Sequence, residues 1–312
     1  MARHGRHRRH RSRPTRVLGR SALLALVLVA LATTAVLVSR GGPSLAGAGG
    51  TTSTQVDAAK TTPPSTTAPT STTVPSRDPF SSPAVASYLS SREGTITAAL
   101  YDVSTGQTYL YHPGTREVTA SMVKIDILAA LLAQAQTQNR SLSATEDAVA
   151  RRMIIASGNG AASRLFDEVG QRDGLARFNQ SIGFTQTVPS WGWGLTATTP
   201  VDQLALLKTI VLPGGVLSPA SQAYEQSLME HVYDSERFGI ATGPPASARV
   251  GVKDGWYDEA STGWQINSAG YVQLGTVDYL AVVETAGDPS EDYGKATVSQ
   301  LGELLWSYQS QP

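Results

Sequence analysis

An α+β domain, one mostly antiparallel sheet packed with helices plus a helical insert, is the fold class that three features of this 312-residue sequence predict. Strand-like runs stand near both ends of the segment 80–312, stretches with apolar residues three and four apart lie between them, and no internal repeat or second linker divides the segment. Strands at the two ends must close one sheet. The helices between them must pack beside it.

The chain opens with a basic tail, residues 1–20, which holds eight arginines and no acid. The uncharged stretch SALLALVLVALATTAVLVS follows at 21–39. As a helix it would measure roughly 28 Å at about 1.5 Å per residue, close to the hydrocarbon thickness of a bilayer. The arginines before it orient the tail toward the cytoplasm. An N-terminal transmembrane helix is therefore expected, a single-pass anchor in the cell membrane with the C-terminal domain extracytoplasmic. The small residues Ala46-Gly47-Ala48 offer a cleavage site, which would make the domain secreted.

Residues 40–79 are rich in Thr, Ser, Pro and Gly, as in TTPPSTTAPTSTTVPS, and cannot bury a core. A disordered stalk is expected there, reaching about 30–40 Å at random-coil scaling. From Arg77 onward 24 Asp+Glu face 15 Lys+Arg, so no basic surface awaits a nucleic acid. The absence of cysteine excludes disulfides, thiolate metal sites and a cysteine nucleophile. Only His112 and His231 lie beyond the basic tail, with no H-E-x-x-H, no G-x-S-x-G and no Gly-rich phosphate loop. No metal and no cofactor is expected, and both histidines read as structural.

Within 80–312 a short helix (84–92) leads into TITAALYDV and GQTYLYH, joined by the turn Ser104-Thr105-Gly106. Helical periodicity then covers 121–138, 145–156, 160–169, 173–182, 200–212 and 219–231. Strand patterns return at 248–253, 264–274 and 277–285, the last two split by Gly275-Thr276, and a final helix runs over 291–308.

Three short patterns carry chemistry. Ser121-Met122-Val123-Lys124 opens a helix, which sets the hydroxyl and the ammonium one turn apart on the same face. A serine is a weak nucleophile until a base takes its proton, and a lysine serves only when burial or nearby positive charge lowers its pKa. Ser157-Gly158-Asn159 follows one helix and opens another, and Lys253-Asp254-Gly255 ends a predicted strand. The domain has only four lysines, 124, 208, 253 and 295, and two of them fall in these patterns.

The ordered set S-x-x-K, S-x-N and K-x-G resembles the boxes of class A β-lactamases and the related penicillin-recognising serine D,D-peptidases. The run from Met153-Ile154 through Ser157-Gly158-Asn159-Gly160-Ala161-Ala162 to Leu165 and Gly170 resembles the second box and the helix after it. Thr198-Thr199-Pro200 resembles the segment that follows the omega loop, and the likeness extends over about residues 85–310. The resemblance implies a β-lactamase-like fold with Ser121 as acylated nucleophile, Lys124 as its base and Ser157 passing a proton to the leaving nitrogen. It further implies that Asn159 orients substrate and Lys253 supplies positive charge. Asp254, Gly255 and Trp256 would border the substrate, with the backbone N–H groups of Ser121 and Trp256 as oxyanion hole. The implied partners are β-lactams or peptidoglycan peptides.

Three departures qualify it. Asp254 stands where the family usually has Thr or Ser; in the cleft it would repel a substrate carboxylate, or it would pair with Lys253 in a retired site. No Asp or Glu occurs in 174–199, where class A enzymes keep the glutamate that activates the deacylating water, so release of an acyl group is expected to be slow. Trp191 and Trp193 occupy that stretch instead, and Glu259 is an acid near the third box that could substitute. The 36 residues from Ser121 to Ser157 are also fewer than is typical of class A enzymes, which should open one wall of the cleft. The alternative function is a non-catalytic cell-envelope binding module that keeps the fold.

Overall fold

A computed structural model describes residues 78–311. The basic tail, the expected membrane anchor and nearly all of the linker lie outside the described residues, among which no helix is long and apolar enough to cross a membrane.

Helix α1 (Pro83–Ser90) starts at a proline in the first turn, where its missing N–H costs nothing. It leads into β1 (Thr95–Asp102) and β2 (Gln107–Tyr111), paired antiparallel through the expected turn. The strands β5 (Arg249–Glu259), β6 (Gly263–Leu274) and β7 (Val277–Asp288) form an antiparallel meander, and β7 pairs with β1. The sheet order is β2-β1-β7-β6-β5, so the two ends of the domain close one sheet, with β5 an outer strand.

Between them comes the helical insert, entered through the two-residue strand β3 (Glu117–Val118), which pairs with β4 (Ala197–Thr198). Its helices are α2 (Val123–Thr137), α3 (Ala144–Ile154), α4 (Asn159–Glu168), α5 (Gln171–Ser181), α6 (Pro200–Val211) and α7 (Pro219–Glu230). Local chemistry starts several of them. Ser143 and Glu146 form a reciprocal capping box on α3, while Thr199 and Ser218 cap α6 and α7, each with proline next. The closing helix α8 (Glu291–Gln309) is capped by Ser290.

Period-2 alternation divides the sheet. Ala269, Tyr271, Leu280 and Val282 face the helical lobe and join a core with Leu128, Leu131, Met153 and Leu207. Val252, Ile266, Val272, Ala281 and Val283 face the other way, against Val298, Leu301 and Leu305 of α8 and Val85 and Leu89 of α1.

Two expectations need correcting. The strand expected to end at Lys253 runs six residues further to Glu259, because β6 offers a partner at every position from Arg249 to Glu259 and a tight turn closes the hairpin. The S-x-x-K serine does not lie in the α-helix. Ala120–Met122 is a 3-10 turn, and α2 begins only at Val123.

Candidate active site

The turn that carries Ser121 is clamped from behind by β6. Gln265 Oε1 accepts the Val118 N–H at 2.8 Å, and Asn267 Nδ2 donates to the Val118 carbonyl at 2.7 Å. One residue on, Thr119 N–H donates to Thr196 O at 2.9 Å, and Met122 N–H closes back on Thr119 O at 3.0 Å. Ala120 stands at φ 47°, a left-handed conformation that a residue with a Cβ adopts only when its surroundings enforce it. Ser157 is the second such residue at the site, at φ 49°. The backbone is thus strained beside two of the residues singled out in the sequence.

Four groups converge on the Lys124 ammonium. Its nitrogen lies within hydrogen-bond distance of Ser121 Oγ at 2.7 Å, Ser157 O at 2.6 Å, Ser157 Oγ at 3.1 Å and Asn159 Oδ1 at 3.0 Å, four oxygens for at most three N–H donors. Lys253 Nζ reaches the same Ser157 Oγ at 3.0 Å and also donates to the Asp254 carbonyl at 2.9 Å. Ser157 Oγ therefore bridges two ammonium groups. Lys124 and Lys253 are both fully buried, whereas Ser121 is half-buried and accessible.

Burial, and then the Lys253 charge, push Lys124 down to about 7. Burial pushes Lys253 down to about 8, opposed by the charges of Asp254 and Glu236. Near neutrality one lysine is poised to accept a proton, and the other keeps most of its charge.

Gly255 faces the turn that carries Ser121. A Cβ there would stand 2.6 Å from Met122 N and Thr119 O and 2.7 Å from Ser121 N, so only glycine lets β5 approach this closely. Asp254 lies on the opposite face from Lys253, as alternation requires. Its carboxylate is fully buried and accepts the Phe238 N–H at 2.7 Å; burial lifts it to about 7. This corrects the expectation of a substrate-facing Asp254. Its side chain neither lines the cleft nor forms an ion pair with Lys253. The Trp256 side chain shares that face and packs against Phe238, with ring centroids 5.8 Å apart, and under Lys295 Nζ at 4.0 Å. Only its backbone is left to border the cleft.

The segment without acids is brought to the site by Asp202. Its carboxylate collects the N–H groups of Thr185, Gln186 and Thr187, and the bridge Val188 to Ala197 then closes the loop. Trp193 lies with its ring 5.1 Å from Lys124 Nζ, and its Nε1–H donates to Ser163 Oγ at 3.1 Å. Trp191 is 62 % exposed with the Arg172 guanidinium 4.7 Å from its ring. Trp191 therefore stands outside the core, whereas the half-buried Trp193 also packs against the core of the helical lobe. Glu259, the acid considered as a substitute, sits at the far end of β5 with Ser261 Oγ donating to it at 3.2 Å. The acid whose charge both site lysines feel is Glu236, which belongs to no motif and which the sequence did not single out. His112 and His231 sit against backbone carbonyls of Ile96 and Ser227, away from these groups.

A helical lobe packed on an antiparallel sheet, with the site at their junction, is the architecture of the serine β-lactamases. The structure resembles a β-lactamase from Xanthomonas campestris pv. campestris at 21% identity and a TM-score of 0.63, over 72% of this chain and 95% of that one. It resembles the TLA-1 extended-spectrum β-lactamase at 16% identity and 0.65, over 73% and 97%. A variant of the last common ancestor of Gram-negative class A β-lactamases matches at 23% identity and 0.61, over 71% and 95%. At these identities the likeness shows the fold. No curated protein matches the sequence. A family model described as the β-lactamase enzyme family matches residues 144–309, more than half of the chain, and the chain belongs to that family. The matched stretch includes Ser157, Asn159 and Lys253 but begins after Ser121 and Lys124.

Proposed function

We propose that this chain is an extracytoplasmic serine hydrolase or acyl-transferase of the penicillin-recognising type, which forms an acyl ester on Ser121 with β-lactam or D-alanyl peptide-like donors. The observation that carries this reading is the 2.7 Å contact between Ser121 Oγ and a Lys124 amine pushed down to about 7. Neutral Lys124 takes the Ser121 proton as Oγ attacks the carbonyl carbon. The oxyanion forms beside the backbone N–H groups of Ser121 and Trp256, and Asn159 orients the donor. Ser157 Oγ, bonded to both lysines, gives its proton to the departing nitrogen and is reprotonated from Lys124, which leaves the ester on Ser121.

Release of the ester needs an activated water. The stretch 174–199 holds no acid to supply it, and the Trp193 indole lies over Lys124, so deacylation is slow. Residues 21–39 anchor the chain and 40–79 act as a stalk that carries the domain toward the cell wall. The second reading, a non-catalytic envelope-binding module, draws on the same missing acid. The bond from Lys253 to Ser157 Oγ, in place of a retired pair with Asp254, favours the enzyme.

Incubating the full-length chain with a labelled penicillin should add one penicillin mass, mapped to Ser121 and absent from Ser121→Ala. No adduct after prolonged exposure, with reversible binding that survives Ser121→Ala, would establish the binding module instead.

A further inference from the structure

Val188, Trp191 and Leu195 are three of the six large apolar side chains that stand exposed among the described residues, at 54 %, 62 % and 47 %. All three belong to the loop 185–199, which contains no charged residue. The loop is pinned. Besides the three N–H groups held by Asp202, Leu195 N–H donates to Gly192 O at 2.7 Å and Thr196 N–H to Trp193 O at 3.2 Å, which closes the 3-10 turn Trp193–Leu195. Apolar surface that a fixed backbone holds in water is unfavourable until something covers it.

This surface is continuous with the site. A Cβ built on Gly194 would stand 3.9 Å from the carbonyl oxygen of Ala120, the residue before Ser121, and Thr196 O accepts the Thr119 N–H at 2.9 Å. Lys124 Nζ lies over the Trp193 ring at 5.1 Å and reaches Ser121 Oγ at 2.7 Å, so a single nitrogen separates the indole from that oxygen. Ser163 fixes the other side of the ring through Nε1, and the indole remains partly open to solvent. Leu195 carries the apolar surface onward: it lies over Gly192, where a Cβ would stand 3.6 Å from Leu195 Cδ1, and Trp191 follows beyond.

An acyl group placed on Ser121 is delivered beside this loop. With no charge the loop has nothing to pair with a carboxylate or an ammonium group, whereas its indoles and Leu195 offer flat and aliphatic surface already held in place. We infer that Trp193, Leu195 and Trp191 form a subsite for an apolar group on the acyl part of the donor, an aromatic ring or an alkyl chain. The inference rests on the reading of Ser121 as the acylated residue.

Two penicillins with the same nucleus test it, one with a phenylacetyl and one with an acetyl side chain, timed by adduct formation on the full-length chain. The first should acylate Ser121 about fivefold faster, the scale of one aromatic contact. Trp193→Ala should bring the ratio to about one, and Trp193→Phe should keep most of it. Any disturbance of Lys124 slows both donors alike and cancels in the ratio. Leu195→Ser, at an exposed position, should lower the advantage of an octanoyl penicillin over the acetyl one. A ratio near one in the parent overturns the proposal, and so does a ratio that Trp193→Ala leaves unchanged. Calorimetry on Ser121→Ala with the same compounds reads the preference without acylation. If neither penicillin labels Ser121 in the parent while the phenylacetyl compound still binds more tightly in a Trp193-dependent way, the acyl-enzyme reading fails and the apolar subsite stands. If both label Ser121 at equal rates, the reading stands and the subsite falls.

Discussion

The two faces of the sheet are built differently. Toward the helical lobe the buried positions include Lys253, Gln265, Asn267 and Glu284 among the apolar ones, whereas toward α8 Val252, Ile266, Val272, Ala281 and Val283 stand with the buried Asp254, Ser268 and Thr285. Buried polar groups cost stability unless they are partnered. On the lobe side several of the partners belong to the candidate site: Gln265 and Asn267 hold Val118, three residues before Ser121, and Lys253 holds Ser157. On the α8 face the buried Asp254 and Ser268 instead hold the backbone N–H groups of Phe238 and Ile240, so the two faces differ in what their polar groups position.

The sharpest way to break this contrast is at Lys124. Lys124→Met should slow acylation of Ser121 by about 10²–10⁴-fold, the range for losing a positioned general base, as read by penicillin-adduct formation over time. On the other face, Leu301 is fully buried against the sheet from α8. Leu301→Ala should cost about 2–5 kcal/mol in denaturant unfolding, yet leave the acylation rate per folded molecule unchanged. A parallel fall in acylation would mean that the two faces are coupled. Gly255→Ala lies between these cases. The added Cβ meets backbone atoms of residues 119–122 and displaces Ser121, for an expected loss of about 10²-fold in acylation, out of proportion to any change in unfolding midpoint.

Much of this division can be read in the sequence, and what cannot be has physical causes. Strand alternation and helical periodicity are local properties, so the sheet closed by both ends and the helices of the insert follow from them. The motif residues Ser121, Lys124, Ser157, Asn159 and Lys253 do meet in space. The face that Asp254 takes depends on whether the strand continues through it: a strand that ends at Lys253 leaves its side chain free to enter the cleft, whereas the strand to Glu259 turns it away. The 3-10 turn at Ser121 depends on the tertiary clamp from Gln265 and Asn267, which no local pattern announces. Glu236 was invisible for a similar reason. Its segment is tied down by Tyr233 N–H on Ile155 O at one end and by Phe238 N–H on Asp254 Oδ2 at the other, and those anchors are long-range.

The pH dependence of acylation sharpens the role of the two lysines. The rate should rise through about pH 7 as Lys124 gives up its proton, and fall above about pH 8 as Lys253 loses its charge. Lys253→Arg keeps a permanent charge, so its profile should retain the rise and lose the fall within the measurable range. A profile flat between pH 6 and pH 9 would mean that neither lysine titrates where burial places it.

The smallest effect concerns the carboxyls that the lobe buries behind the site. Asp126, two residues beyond Lys124, is fully buried with the Asn179 amide as its polar neighbour, and burial lifts it to about 8 against that amide's opposing effect; Glu225 is raised as well, by burial and by Asp126. A carboxyl whose pKa is higher in the folded state than its unfolded value near 4 binds its proton more tightly when folded. Its contribution to stability is complete below about pH 4 and is lost as pH rises toward about 8. The lysines act with the opposite sign, but only above about pH 7, so between pH 5 and 7 the carboxyls alone set the slope. Urea unfolding should find the wild type more stable at pH 5 than at pH 7. Asp126→Asn, neutral at both, should shrink that difference by about 2.5 kcal/mol, one proton across two pH units, while Glu117 and Asp254, both lifted to about 7, maintain the remainder. An undiminished difference would show that Asp126 is already ionised in the folded lobe, and that this face tolerates a buried charge as well as buried dipoles.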